Sequence, residues 1–117
     1  MLIDGKKFDL RMHLLAVGVE PQFYFAFRDG LVRMCTHDYE KPNRDNMKDI
    51  FMHISNTAVQ KNSDTFDLDA ESGSKRSYLD YMIKLRESDE EMYNTVMRNM
   101  DECFTQTMAA CVPYIQA

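Results

Sequence analysis

The stretch Lys6-Lys7-Phe8-Asp9-Leu10-Arg11-Met12-His13-Leu14 concentrates residue types that can do chemistry. Read as a strand, it places Lys7, Asp9, Arg11 and His13 on one face and Phe8, Leu10, Met12 and Leu14 on the other. Cations, a carboxylate and an imidazole would then form one row, about 7 Å between successive members by strand rise. Such a row can hold phosphate oxygens, a carboxylate or a ribose edge, since Arg offers a planar fork and Lys a movable point charge. A solvated sheet face of mixed charge has the same pattern, and this stretch alone leaves both readings open.

The remaining reactive types are scattered. Cys35, Cys103 and Cys111, and His13, His37 and His53, show no CxxC or HxxxH spacing, so no metal site is expected. Asp67, Asp69 and Glu71 read as an acidic solvated loop, and His37 as part of an exposed loop. His53 reads as a hydrogen-bonded structural residue or as a support for neighbouring ligands. An odd cysteine count without a leader-like segment points to a reducing, intracellular setting. No apolar run approaches about 18 residues, so no membrane partner is expected.

Net charge is −5 over 117 residues, spread unevenly: residues 1–61 carry +1 and residues 62–117 carry −6. An acidic chain without a Lys/Arg cluster is a poor nucleic-acid binder, although its first half can still hold an anion locally. Hydrophobic residues make up 44% and charged residues 28%, which is the composition of a chain that folds. The length fits one small domain or part of a larger one. The ten methionines read as adaptable core filler.

The elements that would position the row are expected as follows. A strand runs over 6–17, a connection over 18–21 contains Pro21, and a second strand covers Gln22–Phe27. The Asp29-Gly30 turn returns the chain as a third strand over Leu31–Thr36, giving an antiparallel meander. Residues 38–46 and 62–74 read as loops. Residues 47–61 are ambiguous, with a helical stripe of Met47, Ile50, Phe51 and Ile54 running into an irregular end. A helix follows Ser77 to Arg86, with Leu79, Met82, Ile83 and Leu85 apolar. A longer helix starts at Ser88-Asp89-Glu90-Glu91 with the buried stripe Met92, Val96, Met100, Cys103, Phe104, Met108 and Cys111, and Pro113 closes it. The class is therefore α+β, a β-meander followed by two helices.

Four segments occur in order: Lys7-Phe8-Asp9-Leu10-Arg11, Asp29-Gly30-Leu31-Val32-Arg33, Phe51-Met52-His53-Ile54-Ser55-Asn56 running to Val59-Gln60-Lys61, and Gly73-Ser74-Lys75-Arg76-Ser77. The series resembles the tubulin tyrosine ligase-like family of ATP-grasp amino-acid ligases, and its last segment is more similar to the polyglutamylases than to the tyrosine ligase. The resemblance implies that Lys7 and Asp9 contact ATP, through phosphate charge and a sugar hydroxyl respectively. Ser55 and Asn56 stand where the family has threonine and asparagine beside the nucleotide. Arg33 and Lys75 match positions that hold the incoming amino acid, with Arg11 on the same charged face; Arg11 and Arg33 are the implied catalytic residues. Thr57 and Ala58 fall at substrate-contacting positions where the family usually has tyrosine and serine.

The implied reaction is ATP-dependent joining of free glutamate to glutamate side chains of tubulin through an acyl phosphate. Tubulin or microtubules would be the protein partner, and the location cytoplasmic and cytoskeletal, with a cilium or basal body as one setting. The resemblance also implies that the family's Mg²⁺ ligands lie after the helix ending near Pro113 and its phosphate-covering lysines before Met1. The 117 residues would then be a partial domain, inactive alone. The alternative is a non-catalytic, protein-binding relative.

Overall fold

The computed structural model describes residues 1–69 and 73–115. Its elements run β1 (Lys6–Arg11), β2 (Leu14–Val19), β3 (Gln22–Ala26), β4 (Leu31–Asp38), α1 (Ile50–His53), α2 (Thr57–Gln60), β5 (Lys75–Ser77), α3 (Tyr78–Ser88) and α4 (Glu90–Ile115). The class is α+β with antiparallel pairing, but the three-strand meander is not formed. The strands divide into a three-stranded sheet in the order β1-β4-β5 and a separate β2-β3 pair.

The expected strand over 6–17 is broken at Met12 and His13, although its alternation continues through them. A strand needs a partner as well as a pattern. The β1–β4 ladder ends where Arg11 faces Leu31, and beyond that point the chain pairs with β3 instead. Asp29-Gly30 does not act as a hairpin turn, because β3 and β4 lie in different sheets. Among the described residues, positive φ is confined to Asp4 (50°) and Gly5 (74°). Those two residues form the tight primed turn in which Ile3 and Lys6 exchange backbone hydrogen bonds.

The chain forms two compact units, Met1–Arg11 with Gly30–Tyr78, and Met12–Asp29 with Leu79–Ala117. In the first, Val32, Met34, Cys35, Met52 and Tyr78 are buried. In the second, Met82 and Met108 are buried, so methionine does serve as core filler in both. In α4, Met92 and Cys103 are exposed, contrary to the expected stripe. At 3.6 residues per turn both fall on the same flank of that stripe, opposite Phe104 and Met108. The helix also continues to Ile115, with Pro113 inside its last turn. Among the described residues no helix is long and apolar enough to cross a membrane.

The ambiguous segment 47–61 resolves into two single-turn helices, each too short to persist by propensity alone. Asp49 caps α1 by accepting from the backbone N–H groups of Phe51 and Met52, and Asn56 caps α2 by accepting from Ala58. Gln60, 1% exposed, joins them to the sheet. Its Oε1 accepts from the Thr36 N–H at 2.8 Å, while its Nε2 donates to the carbonyls of Phe51 (3.2 Å) and Ile54 (2.5 Å). Gln60→Ala would strand a buried N–H and release two carbonyls. A loss of about 2–5 kcal/mol is expected from the cost of buried unsatisfied groups, measured by urea denaturation. A loss below about 1 kcal/mol would show that water replaces the amide.

Candidate active site

The β1–β4 ladder sets Asp9 opposite Arg33, and the β4–β5 ladder sets Arg33 opposite Lys75. Directly opposed residues in antiparallel strands share a face, so Asp9, Arg33 and Lys75 form one line across the sheet. Arg11 lies two residues along β1 on the same face.

The guanidinium of Arg33 grips Asp9 bidentately. Its Nε donates to Oδ1 and one terminal nitrogen to Oδ2, both at 2.7 Å. The Ser55 hydroxyl donates to the same Oδ2 at 2.5 Å, which draws the segment between α1 and α2 over the sheet face. Lys7 reaches that segment from β1, its Nζ donating to the His53 carbonyl at 2.8 Å. Asn56 spends its side-chain oxygen on the cap, 2.8 Å from the Ala58 N–H. Thr57 then opens α2 half-buried, and Ala58 is exposed.

Burial pushes the Asp9 carboxyl upward. The hydrogen bonds from Arg33 and Ser55 and the charges of Arg33 and Arg11 outweigh it, holding the group below the ordinary carboxylate value. Arg33 is held above its own ordinary value, chiefly by the hydrogen bond to Asp9. The Cys35 thiol is pushed up by burial, with Lys7 opposing.

The sheet face therefore carries Lys7, Arg11, Arg33 and Lys75 around one ionised carboxylate. Asp9 occupies only one edge of the Arg33 fork, leaving the other terminal N–H groups for a second anion. Carboxylates and phosphates are the ligands that such a face fits.

Several expectations change here. His13 leaves the row, since it belongs to the unit containing β2. His37 is not an exposed loop residue; it lies on β4 with Nδ1 2.7 Å from Asp49 Oδ2 and its ring 5.3 Å from that of Phe51. That contact braces the α1 cap and holds the Asp49 carboxyl below its usual value. His53 is hydrogen-bonded through Nε2 to the Asn46 carbonyl at 2.9 Å. Glu71 lies outside the described residues; among those described, no group of three or more His, Cys, Asp or Glu gathers.

Gln60 stands in the Val59-Gln60-Lys61 stretch that carries the resemblance, but its structural role had no local signal, because a polar residue in a polar segment reads as surface. Asp49 did give one, since an Asp immediately before Ile50-Phe51-Met52 is an N-cap pattern. A cleft of about 560 Å³ in the same unit, lined by Lys6, Thr36, Thr65, Ser74 and Arg76 among others, includes none of the nine expected site residues. Lys6 is already paired with Asp38 at 2.6 Å and Arg76 with Asp4 at 2.8 Å. Cations so neutralised make the cleft the poorer anion site, and the sheet face remains the candidate.

The model of the tubulin-tyrosine ligase family matches residues 1–117. The human tubulin polyglutamylase TTLL6 is 35% identical over 98% of this chain, the human TTLL7 enzyme 31% over 97%, and the human TTLL13 enzyme 37% over 74%. The chain spans only 13%, 13% and 11% of those relatives, respectively.

The depressed Asp9 value has a consequence for stability. A carboxylate whose folded pKa lies below its unfolded one, about 3.9, stabilises fully above that pH and loses the contribution as pH falls through the folded value. Asp9→Asn is therefore expected to be less stable than the parent at pH 7, with the gap in urea midpoint closing below about pH 4. A gap that stays constant down to about pH 2 would show that Asp9 contributes by shape rather than by charge.

Proposed function

The chain belongs to the tubulin-tyrosine ligase family, and on that premise we propose that it forms the central part of an ATP-grasp ligase domain. The activity proposed for the whole domain is ATP-dependent ligation of glutamate to glutamate side chains of tubulin. The observation that carries this reading is the sheet face itself: Asp9 orients Arg33 at 2.7 Å while Lys7, Arg11 and Lys75 flank the pair. Its relatives, the tubulin polyglutamylases TTLL6 and TTLL7, support tubulin as the substrate class in this reading.

In this reading the acceptor carboxylate takes the γ-phosphoryl group of ATP, and the amino group of free glutamate then displaces phosphate, forming an isopeptide bond. Lys7 and Arg11 attract the phosphate oxygens and offset the charge that builds during transfer. The open edge of Arg33, with Lys75 beside it, holds the carboxylates of the incoming glutamate. Asp9 accepts from a ribose hydroxyl and keeps the Arg33 fork in its plane. Ser55 fixes the Asp9 oxygen that faces α2, and Asn56 presents its amide N–H₂ beside the nucleotide.

The donor set described here fits a phosphate-bearing ligand. Among the described residues no group of three or more His, Cys, Asp or Glu gathers that could hold Mg²⁺ by protein ligands alone. In the proposed domain the metal would be held by residues outside these 117. A cytoskeletal location, including a cilium or basal body, accompanies this proposal.

One feature favours a second reading, a non-catalytic relative that keeps the fold to bind protein. Thr57 and Ala58 replace the tyrosine and serine usual in the family, which removes a phenol and a hydroxyl from the substrate side. The neighbouring coding sequence separates the two readings. An upstream lysine-bearing, glycine-rich segment with a downstream Glu-x-Asn strand supports the ligase, and stop codons there support the binding protein.

The functional test is glutamate transfer to tubulin by the longest reading frame containing this chain, with a reaction lacking Mg²⁺ as control. Arg33→Ala should cut transfer by about 100-fold or more, as expected for losing an anion-holding group, while nucleotide binding falls little. Arg33→Lys should recover only a small part, because an ammonium cannot reproduce the fork. Equal loss of transfer and nucleotide binding, or no loss of either, would remove Arg33 from the amino-acid site.

A further inference from the structure

The stretch between α1 and α2 lies along β1. Lys7 Nζ donates to the His53 carbonyl at 2.8 Å, and Ser55 Oγ donates to Asp9 Oδ2 at 2.5 Å. Both contacts span 46 positions of chain, so residues 53–55 and 7–9 advance in the same direction, step for step. The two groups that tie this stretch down, Lys7 and Asp9, are also the two that the proposed function gives to the nucleotide.

The two ties differ in how readily they let go. Asp9 is half-buried and gripped by Arg33 as well as by Ser55. Lys7 is exposed, and its ammonium is a point charge on a flexible stem. Its acceptor is a helix-end carbonyl: His53 is the last residue of α1, where carbonyls have no partner further along the helix. The neighbouring carbonyls are served from close by, Ile50 by the Ile54 N–H at 3.0 Å, and Phe51 and Ile54 by Gln60. The His53 carbonyl is served by Lys7, so a cation from β1 closes the last turn of α1.

We propose that Lys7 is a latch: in the ligand-free protein its ammonium holds the end of α1, and a bound phosphate takes the ammonium over and frees that end. The latch rests on the proposed function, in which Lys7 attracts phosphate oxygens. A neutral carbonyl competes poorly with a phosphate, because ionisation of the acceptor as well as the donor strengthens the hydrogen bond. A single-turn helix has little stability of its own, so losing this contact loosens it. Gln60 keeps the Phe51 and Ile54 carbonyls throughout, which confines the loosening to the last turn. Occupancy of the anion site and order at residues 53–54 are then coupled with opposite sign.

Hydrogen exchange resolved to single amides, on the longest reading frame containing this chain, tests the latch. The probes are ATP, inorganic triphosphate and adenosine, each with Mg²⁺ and without glutamate or tubulin, and their binding is followed by calorimetry. ATP and triphosphate should speed exchange of the Ile54 amide by about fivefold or more, the usual scale of coupling between sites, and adenosine should leave it unchanged. Lys7→Met should show the faster exchange with no ligand present, and triphosphate should add nothing. The Thr36 amide, buried and bonded to Gln60, should keep its protection in every sample and reports that the variant is folded. The parent's response to triphosphate needs no variant and decides the matter if Lys7→Met fails to fold. Slower exchange at Ile54 on triphosphate binding would mean that one ammonium serves both acceptors. That result, or unchanged exchange in folded Lys7→Met, would overturn the latch and leave the nucleotide reading in place. Absence of ATP binding would remove that reading and the hand-over with it.

Discussion

The buried amide of Gln60 is the constraint on which the candidate site depends. Neither single-turn helix can hold its own shape, yet together they carry Ser55, Asn56, Thr57 and Ala58. One side chain ties both to β4 by satisfying a sheet N–H and two carbonyls at once. A buried Gln is tolerated because it is fully paired, and that same pairing makes it hard to replace. The His37–Asp49 contact works toward the same end by bracing the cap of α1.

Within that frame the Asp9–Arg33 pair does two jobs. A bidentate contact joining adjacent strands fixes the guanidinium plane, and it sets that plane where one fork edge stays available. The pair also balances charge locally, so that Lys7, Arg11 and Lys75 can share a small face without mutual repulsion dominating. In the proposed ligase domain such a face would meet an anionic ligand with its cations already placed, which is how electrostatic catalysis avoids reorganisation at the moment of reaction.

The second unit follows a different logic. Both faces of its hairpin carry apolar residues, and one of them meets α4 through Tyr24 and Thr105. The exposed phenylalanines are consistent with the strand propensity that marked Gln22–Phe27 in the sequence, since aromatic residues favour strands on either face. Propensity does not say whether a face is covered. Coverage is a property of the neighbours.

What the residues alone determined was type and facing. Alternation from Lys7 to Arg11 put the charged residues together; Pro21 and the residues around it ended a strand; the acids at Glu90 and Glu91 opened the long helix. These are local effects, set by side-chain geometry and backbone dipoles within a few residues. The tertiary structure decided pairing. It gave β4 to β1 rather than to β3, divided an unbroken alternating stretch at Met12 and His13, and brought Ser55 to Asp9 across 46 positions of chain. Such choices depend on which distant segment supplies hydrogen-bond partners and apolar cover, and no local pattern encodes that competition.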